Sequence, residues 1–355
     1  MHQRVVTSLG IAALASALTV VFLAPIGVDA QSQNAAAKPA TRPAPGPKKT
    51  WVVPRTPDGV PDLQGYWTNN SYTPLERPNG VTKEFYTLEE LREVEKKAAQ
   101  REEEQTVPGT VADVHYDFTQ FGLDRSQTRL TGNLRTSMIT NPENGKLPPL
   151  TPEGQKRAAE RAAEQRRKQA VTYDQVQNIN IGSRCVYTAT AGPPMMPPGY
   201  NPAYQIVQSP GYVTILIESL HEVRVIPTDG RPHAPSTVRS WLGDPTAHWE
   251  GDTLVVETTN FNEKMAFRGA TENMKLTERF TRVSDDAIRY EFTVDDPSTW
   301  ERSWKAEMPF VKINGPIFEH ACHEGNYGIA NTLAGARKEE KRAEEAAAAK
   351  KVSAK

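Results

Sequence analysis

The chain has 355 residues, and its 42 basic and 43 acidic side chains give a net charge of −1. Nothing in this balance attracts the whole protein to nucleic acid or to an anionic membrane, so we expect neither as a partner. Beyond the N-terminal segment the length allows one large domain or two small ones. The 28 prolines indicate a loop-rich architecture.

The first 30 residues have the pattern of a secretory signal peptide. A short basic start, Met1–Arg4, precedes an apolar run from Ile11 to Ala24, and small side chains follow at Val28 and Ala30. The alternative is an uncleaved anchor, but this run is shorter than the roughly 20 apolar residues that a spanning helix needs. We therefore predict cleavage after Ala30, a mature chain that begins at Gln31, no stable membrane insertion, and a periplasmic or secreted location.

The rest of the chain divides by composition. Residues 31–50 predict a disordered linker, and residues 337–355 predict a charged, Ala-rich tail without a core of its own. Between them we predict a single domain over 51–336, with a helical and loop-rich part (51–170) followed by an antiparallel β part (171–336).

Three local signals organise the helical part. The capping box Thr87-Leu-Glu-Glu90 predicts the start of one helix. Thr151-Pro152 predicts the start of a second helix, which continues to residue 170. Residues 108–149 have no clear period and predict a long ordered loop.

The β part predicts short strands without helices between them, which favours an antiparallel barrel of lipocalin-like type. A two-sheet sandwich is the alternative. The alternation is clearest where Ile288, Tyr290, Phe292 and Val294 share one face, and it repeats from Trp304 to Phe310. The predicted strands are Tyr212–Ser219, His221–Ile226, Thr253–Phe261, Lys275–Val283, Ala287–Val294, Ser303–Val311 and Ile317–Cys322.

The only two cysteines, Cys185 and Cys322, belong to the predicted mature protein. In an oxidising compartment this even count favours a disulfide, which would hold the segment entering the β part to its last strand. Two independent buried thiols are the alternative.

Two histidines are candidate ligand-binding residues near the strands. By strand parity His221 shares a face with Val223 and Val225, so we expect it to point at an apolar interior, either as a core residue or as a ligand contact. His233 ends the turn Asp229-Gly-Arg-Pro-His233, where it either reaches a barrel mouth or faces water.

The segment His248-Trp-Glu250 offers a denser set of groups. His248 and Glu250 are candidates for an acid and a base, and Trp249 offers a surface on which a ligand stacks. The alternative is a hairpin that turns at Gly251 and leaves its charges in solvent.

The segment Glu319–Tyr327 contains His320, Cys322, His323 and Glu324. In a strand His320 and Cys322 share one face while His323 points away, so we predict no metal site. We predict instead that His323 and Glu324 form an acid–base pair beside the ligand-binding Asn326. Barrel closure is expected to bring His248, Glu250, His323 and Glu324 to one shared cavity mouth.

Several motifs together resemble a large group of exported, uncharacterised bacterial proteins. They include Asp229-Gly-Arg-Pro-His233, His248-Trp-Glu-Gly-Asp-Thr-Leu-Val-Val-Glu-Thr-Thr-Asn-Phe261 and Cys322-His-Glu-Gly-Asn-Tyr327. The resemblance covers about residues 51–337 and implies one continuous family domain without implying an activity. More loosely, Gly65-Tyr-Trp67 is similar to the tripeptide that plugs the closed end of lipocalin-like barrels.

We therefore expect an exported protein that binds a small, partly apolar ligand in a barrel pocket. One alternative is a cofactor-independent lyase, isomerase or hydrolase that uses His and Glu side chains. Another is a structural envelope protein whose barrel is packed solid. No cofactor is predicted, and the oligomeric state is left open.

Overall fold

The computed structural model describes residues 51–103, 131–170, 173–186, 192–197, 201–264, 267–324 and 326–353. The predicted signal peptide, linker and residues 108–130 of the predicted loop lie outside these residues. The described residues belong to one compact unit that spans Trp51–Lys355. Within this part of the chain no helix is long and apolar enough to cross a membrane.

Nine strands form a nearly closed antiparallel barrel in the order β5-β4-β3-β1-β10-β9-β8-β7-β6, and β2 pairs with β10 outside this path. The prediction of a mainly β chain with an antiparallel barrel is confirmed, and the two-sheet alternative is not. The strands are β1 Gly65–Thr68, β2 Ile139–Asn141, β3 Ala203–Ser209, β4 Tyr212–Ile217, β5 Val223–Pro227, β6 Asp244–Glu250, β7 Thr253–Thr259, β8 Lys275–Ser284, β9 Ala287–Asp295 and β10 Trp304–Lys312.

The two strands at the opening, β5 and β6, run parallel to each other. This follows because every neighbouring pair from β5 round to β6 is antiparallel and the number of strands is odd. Parallel strands need a crossover of about a dozen residues or more, and residues 228–243 provide it. No ladder joins β5 to β6 in the described chain. We call the boundary between β5 and β6, where no ladder joins the two strands, the seam.

Aromatic side chains fill the barrel interior. The predicted alternation is confirmed, since Ile288, Tyr290, Phe292 and Val294 are fully buried on β9, as is the corresponding row on β10. The ring of Tyr290 lies with its centroid 5.1 Å from that of Phe310 and 4.9 Å from that of Phe280. Such burial of large apolar side chains provides most of the driving force for closing the sheet.

Trp67 on β1 is also fully buried. Its indole N–H donates to the carbonyl of Leu63 over 3.0 Å, and the guanidinium of Arg282 lies 5.7 Å from its ring centroid. Arg282 in turn donates to the carbonyl of Asp62 over 2.7 Å. Gly65-Tyr-Trp67 therefore lies on a barrel strand, with its tryptophan packed beneath an arginine.

The described residues form three α-helices, α1 Leu88–Glu103, α2 Pro152–Ala170 and α3 Tyr327–Ser353. The capping box is confirmed, because the Thr87 N–H donates to the Glu90 carboxylate over 2.8 Å and the Glu90 N–H donates to the Thr87 hydroxyl over 3.2 Å. The Thr151 hydroxyl likewise accepts from the Gly154 N–H at the start of α2. The predicted tail is the continuation of α3, which begins ten residues earlier than residue 337.

The predicted strand at Ile317–Cys322 is wrong, since this segment has no ladder partner. Side chains replace the ladder there. The Glu218 carboxylate accepts from the Phe318 N–H over 3.0 Å, and His320 Nδ1 accepts from the Leu220 N–H over 3.1 Å. The predicted strands also omit β1, β2, β3 and β6, and β1, from the first half of the domain, lies between β3 and β10.

Asp296, after β9, joins its own turn to the segment at Thr271. Its carboxylate accepts hydrogen bonds from the Thr271 N–H, the Ser298 hydroxyl and the Thr299 hydroxyl at 2.6–2.8 Å. Burial alone would raise the pKa of Asp296, but these hydrogen bonds outweigh it and hold the pKa below its usual value. The charged form of Asp296 is therefore the one that stabilises this junction.

We expect Asp296→Asn to lower the free energy of unfolding by about 2 kcal/mol at neutral pH, because an amide nitrogen replaces one acceptor oxygen among donors. Since the pKa of Asp296 is depressed in the folded protein, its contribution is complete above the unfolded-state pKa of about 3.9 and is lost as the pH falls through the folded-state pKa. Urea denaturation at neutral and at progressively more acidic pH should show the two proteins converging. A constant difference across that range would contradict the assigned role.

Candidate functional site

His248 and Glu250 lie on the outer face of β6, where the His248 side chain is 56% exposed. His248 Nε2 lies 3.1 Å from Glu250 Oε1, and Arg279 Nη1 lies 2.9 Å from Glu250 Oε2. The hydrogen bonds from His248 and then from Arg279 hold the pKa of Glu250 below its usual value. Trp249 points the other way and packs against the core. The hairpin turn at Gly251 is present.

His323 and Glu324 are exposed in the turn between Cys322 and α3. The side-chain amide of Asn326 donates to the Ser183 carbonyl over 2.8 Å and to Cys185 Sγ over 3.3 Å. Among the described residues, no hydrogen bond or ion pair connects this turn to His248 or Glu250. The shared cavity mouth stays a prediction.

The disulfide between Cys185 and Cys322 is present, with the two Cα atoms 5.8 Å apart. The prediction is confirmed, although Cys322 lies in a turn and not in a last strand. In the part of the chain that the structure covers, no three His, Cys, Asp or Glu side chains are grouped so that they could hold a metal ion.

The predicted orientation of His221 is wrong, because His221 is exposed and the parity of β5 is reversed. Val223 and Val225 face outward, whereas Arg224 and Ile226 face the interior. His221 lies in the preceding turn, where Leu220 and His221 have φ of 56° and 45°. His221 lies close to His320 instead. Burial, and then the charge of His221, lower the pKa of His320.

His233 ties the crossover to the beginning of β6. Its Nδ1 lies 3.1 Å from Asp244 Oδ2, and its Nε2 lies 3.4 Å from the Thr246 hydroxyl. The same Asp244 oxygen accepts from the Ala234 N–H over 2.8 Å. His233 is therefore half-buried between two elements and holds the crossover in place.

The beginning of the crossover is held to β4 by Arg231. Its guanidinium donates to both carboxylate oxygens of Asp229 and, over 2.7 Å, to the hydroxyl of Tyr212. The hydrogen bonds from Arg231 lower the pKa of Asp229 to about 2. With Asp229 and His233 both engaged, the motif between them fixes the course of the crossover.

A cavity of about 300 Å³ lies at the seam, where the end of the crossover passes beside β5. Val223 and Val225, which are 47% and 53% exposed, line it from β5. Trp241 and Leu242 of the crossover and Pro245 of β6 line it from the other side. Five of the lining side chains are thus apolar, three from the two strands that no ladder joins to each other and two from the crossover.

Arg224 connects this cavity to the barrel interior. It borders the cavity on β5, and its side chain extends into the interior, where Nη1 donates to Glu278 Oε1 over 2.9 Å and Nη2 donates to Glu278 Oε2. The Tyr290 hydroxyl donates to Glu278 Oε1 over 2.7 Å and accepts from the Met195 N–H over 3.0 Å. Burial, and then the negative charge of Glu278, raise the pKa of Tyr290 well above its usual value.

Sequence reasoning missed both the seam cavity and Glu278. One signal in the sequence would have found the ion pair. Along β8 the inward positions are Leu276, Glu278, Phe280 and Arg282, so a carboxylate interrupts an apolar row. A buried carboxylate requires a cationic or hydrogen-bonding partner, and Arg224 occupies an inward position on β5.

Comparison of the chain with protein-family models and with curated proteins gave no match. The resemblance to exported bacterial proteins therefore stays a prediction. Parts of its motifs nevertheless have visible roles. Asp229 and His233 hold the crossover, and the segment that begins at His248 forms the β6–β7 hairpin beside the seam.

Proposed function

We propose that the protein is exported and binds a small, partly apolar ligand in the seam cavity. The observation that carries this proposal is an apolar cavity of about 300 Å³ between β5 and the segment that leads into β6. Small-molecule sites are concave, mainly apolar and about 300–1,000 Å³ in volume, with few polar groups. The seam cavity is at the lower end of that range, which favours a small ligand.

The barrel interior is a poorer candidate, although the sequence suggested a pocket there. Tyr204, Tyr290, Phe280 and Phe310 are fully buried, and neighbouring rings approach within 4.9–6.5 Å of each other. Rings at such separations are in packing contact and leave the interior to the protein itself. The proposed site therefore lies in the barrel wall.

An extended peptide fits the seam less well than a small molecule. Cα atoms of β5 and β6 approach within 8 Å of each other. Neighbouring strands are about 4.8 Å apart, so a strand inserted between β5 and β6 would need about 9.6 Å. The gap is too narrow for a strand where β5 and β6 approach.

Export is supported by the disulfide between Cys185 and Cys322, since such bonds persist in the periplasm and outside the cell. It agrees with the signal pattern of the first 30 residues. We propose the periplasm or the exterior as the working location.

A structural envelope role is the second candidate, and the packed barrel interior favours it. Catalysis has less support, because His248 and Glu250 pair with each other in solvent on the outer face of β6. The binding experiment below separates the first candidate from the second.

We expect Val225→Asn to weaken binding of the neutral fluorescent probe N-phenyl-1-naphthylamine at least tenfold. An amide in an apolar wall must be desolvated when the probe binds, and about 1.4 kcal/mol corresponds to a factor of ten. The measurement is a fluorescence titration of the purified protein.

The matched control is Val207→Asn, because Val207 is a 44% exposed valine on β3 that does not line the cavity. It introduces the same residue into a strand and should leave the probe affinity unchanged. Equal probe affinities for the Val225 and Val207 variants would argue for the structural role.

A further inference from the structure

We infer that the ligand of the seam cavity carries no net charge, an inference that rests on the proposed function. Arg224 is the only ionisable residue at the cavity, and its side chain faces the barrel interior behind the wall and is 1% exposed. The wall therefore presents no ionisable side chain to a ligand, and the nearest charge is that of Arg224 and of the groups bound to it.

The positive charge of Arg224 is offset by Glu278. The two side chains are 1% and 0% exposed, and both guanidinium Nη atoms donate to the carboxylate. The hydroxyl of Tyr290 donates to the same carboxylate, so three hydrogen bonds stabilise the negative charge of Glu278. Behind the wall of the cavity there is thus a positive and a negative charge that sum to zero.

A charged ligand would find no counter-charge at this wall. An anion near Arg224 would also approach the Glu278 carboxylate, and a cation would approach the guanidinium. Removing an ion from water without a compensating partner is costly, whereas a neutral apolar molecule avoids this cost.

Two further carboxyl groups adjoin the cavity in sequence, and neither lines it. Asp244 is engaged by His233 and by the Ala234 N–H. Glu222 precedes Val223, and burial raises the pKa of its carboxyl group, which marks surroundings that disfavour charge. Both observations agree with a site for uncharged molecules.

Two dyes that share a ring system test this inference. N-phenyl-1-naphthylamine is neutral, and 1-anilinonaphthalene-8-sulfonate is the same molecule with a sulfonate added. We expect the wild-type protein to bind the neutral dye at least tenfold more tightly than the anionic one. Comparable affinities, with both dyes weakened by Val225→Asn, would overturn the inference and leave the proposed function standing. Val225→Asn without effect on the neutral dye would overturn the proposed function itself.

The charge balance is tested by Glu278→Gln, which leaves the charge of Arg224 without its carboxylate. We expect the preference for the neutral dye to fall at least tenfold in this variant. Because a buried substitution endangers folding, Ser240→Lys provides a second test. Ser240 lines the cavity, is exposed, and would add a positive charge without a counter-charge.

Ser240→Lys should move the preference towards the anionic dye, and Ser240→Gln, a neutral control of similar shape, should not. An unchanged preference in Ser240→Lys would show that the charge of the wall does not set the selectivity, and would overturn the inference even if Glu278→Gln fails to fold.

Discussion

Replacing Glu278 with alanine is expected to lower the free energy of unfolding by about 3–5 kcal/mol. The substitution leaves the guanidinium of Arg224 buried in the interior without the carboxylate that accepts two of its hydrogen bonds. Removing one partner of a buried ion pair has a cost of this size because the other charge stays in a poorly solvating environment. Urea denaturation followed by tryptophan fluorescence measures the change.

The control is the double substitution Arg224→Met/Glu278→Leu, which removes both charges and retains most of the volume. We expect it to differ from wild type by no more than about 2 kcal/mol, since exchanging a buried pair for packed apolar side chains is often neutral. Tyr290→Phe should cost about 2 kcal/mol, because the hydroxyl makes one hydrogen bond to Glu278 and one to the Met195 N–H. A cost below 1 kcal/mol for Glu278→Ala would contradict the assigned pairing.

Removing the disulfide by Cys185→Ser/Cys322→Ser is expected to lower the free energy of unfolding by as much as about 5 kcal/mol. The two cysteines are 137 residues apart, and closing a long loop restricts the unfolded chain in proportion to the logarithm of its length. Thermal denaturation of the variant, and of wild-type protein with and without dithiothreitol, measures the effect.

The reduced wild type should match the double variant, because both lack the same covalent bond. Neither cysteine lines the seam cavity, so the folded fraction of each should bind the neutral dye with wild-type affinity. A reduced protein with unchanged stability would show that the bond does not constrain the unfolded chain.

Local patterns in the sequence predicted those parts of the fold that depend on neighbouring residues alone, namely strand alternation and helix capping. The rows on β9 and β10 follow from period-two alternation, and the start of α1 follows from the pairing of Thr87 with Glu90. β1 is only four residues long, and its partners β3 and β10 lie far along the chain, so its pairing leaves little local pattern. The segment after Gly315 resembles a strand in composition, but Glu218 and His320 take the backbone hydrogen bonds that a ladder would use.

The candidate site was harder to predict, because it depends on topology. The sequence suggests polar residues such as His233 and Glu250 as site residues. In the structure His233 contacts Asp244, and Glu250 forms an ion pair with Arg279. The seam exists because nine antiparallel strands leave two parallel edges, and this is visible only once every pairing is known. The parity of β5 was predicted from its two valines, but these apolar side chains face outward while Arg224 faces the interior.

The central claim is that the seam cavity holds a small ligand, and native mass spectrometry of protein purified from the periplasm tests it most directly. We predict that wild-type protein and Val207→Asn retain a small organic molecule that is released on denaturation, and that Val225→Asn retains much less of it. Equal retention by the two variants, or no retained molecule in the wild type, would contradict the claim.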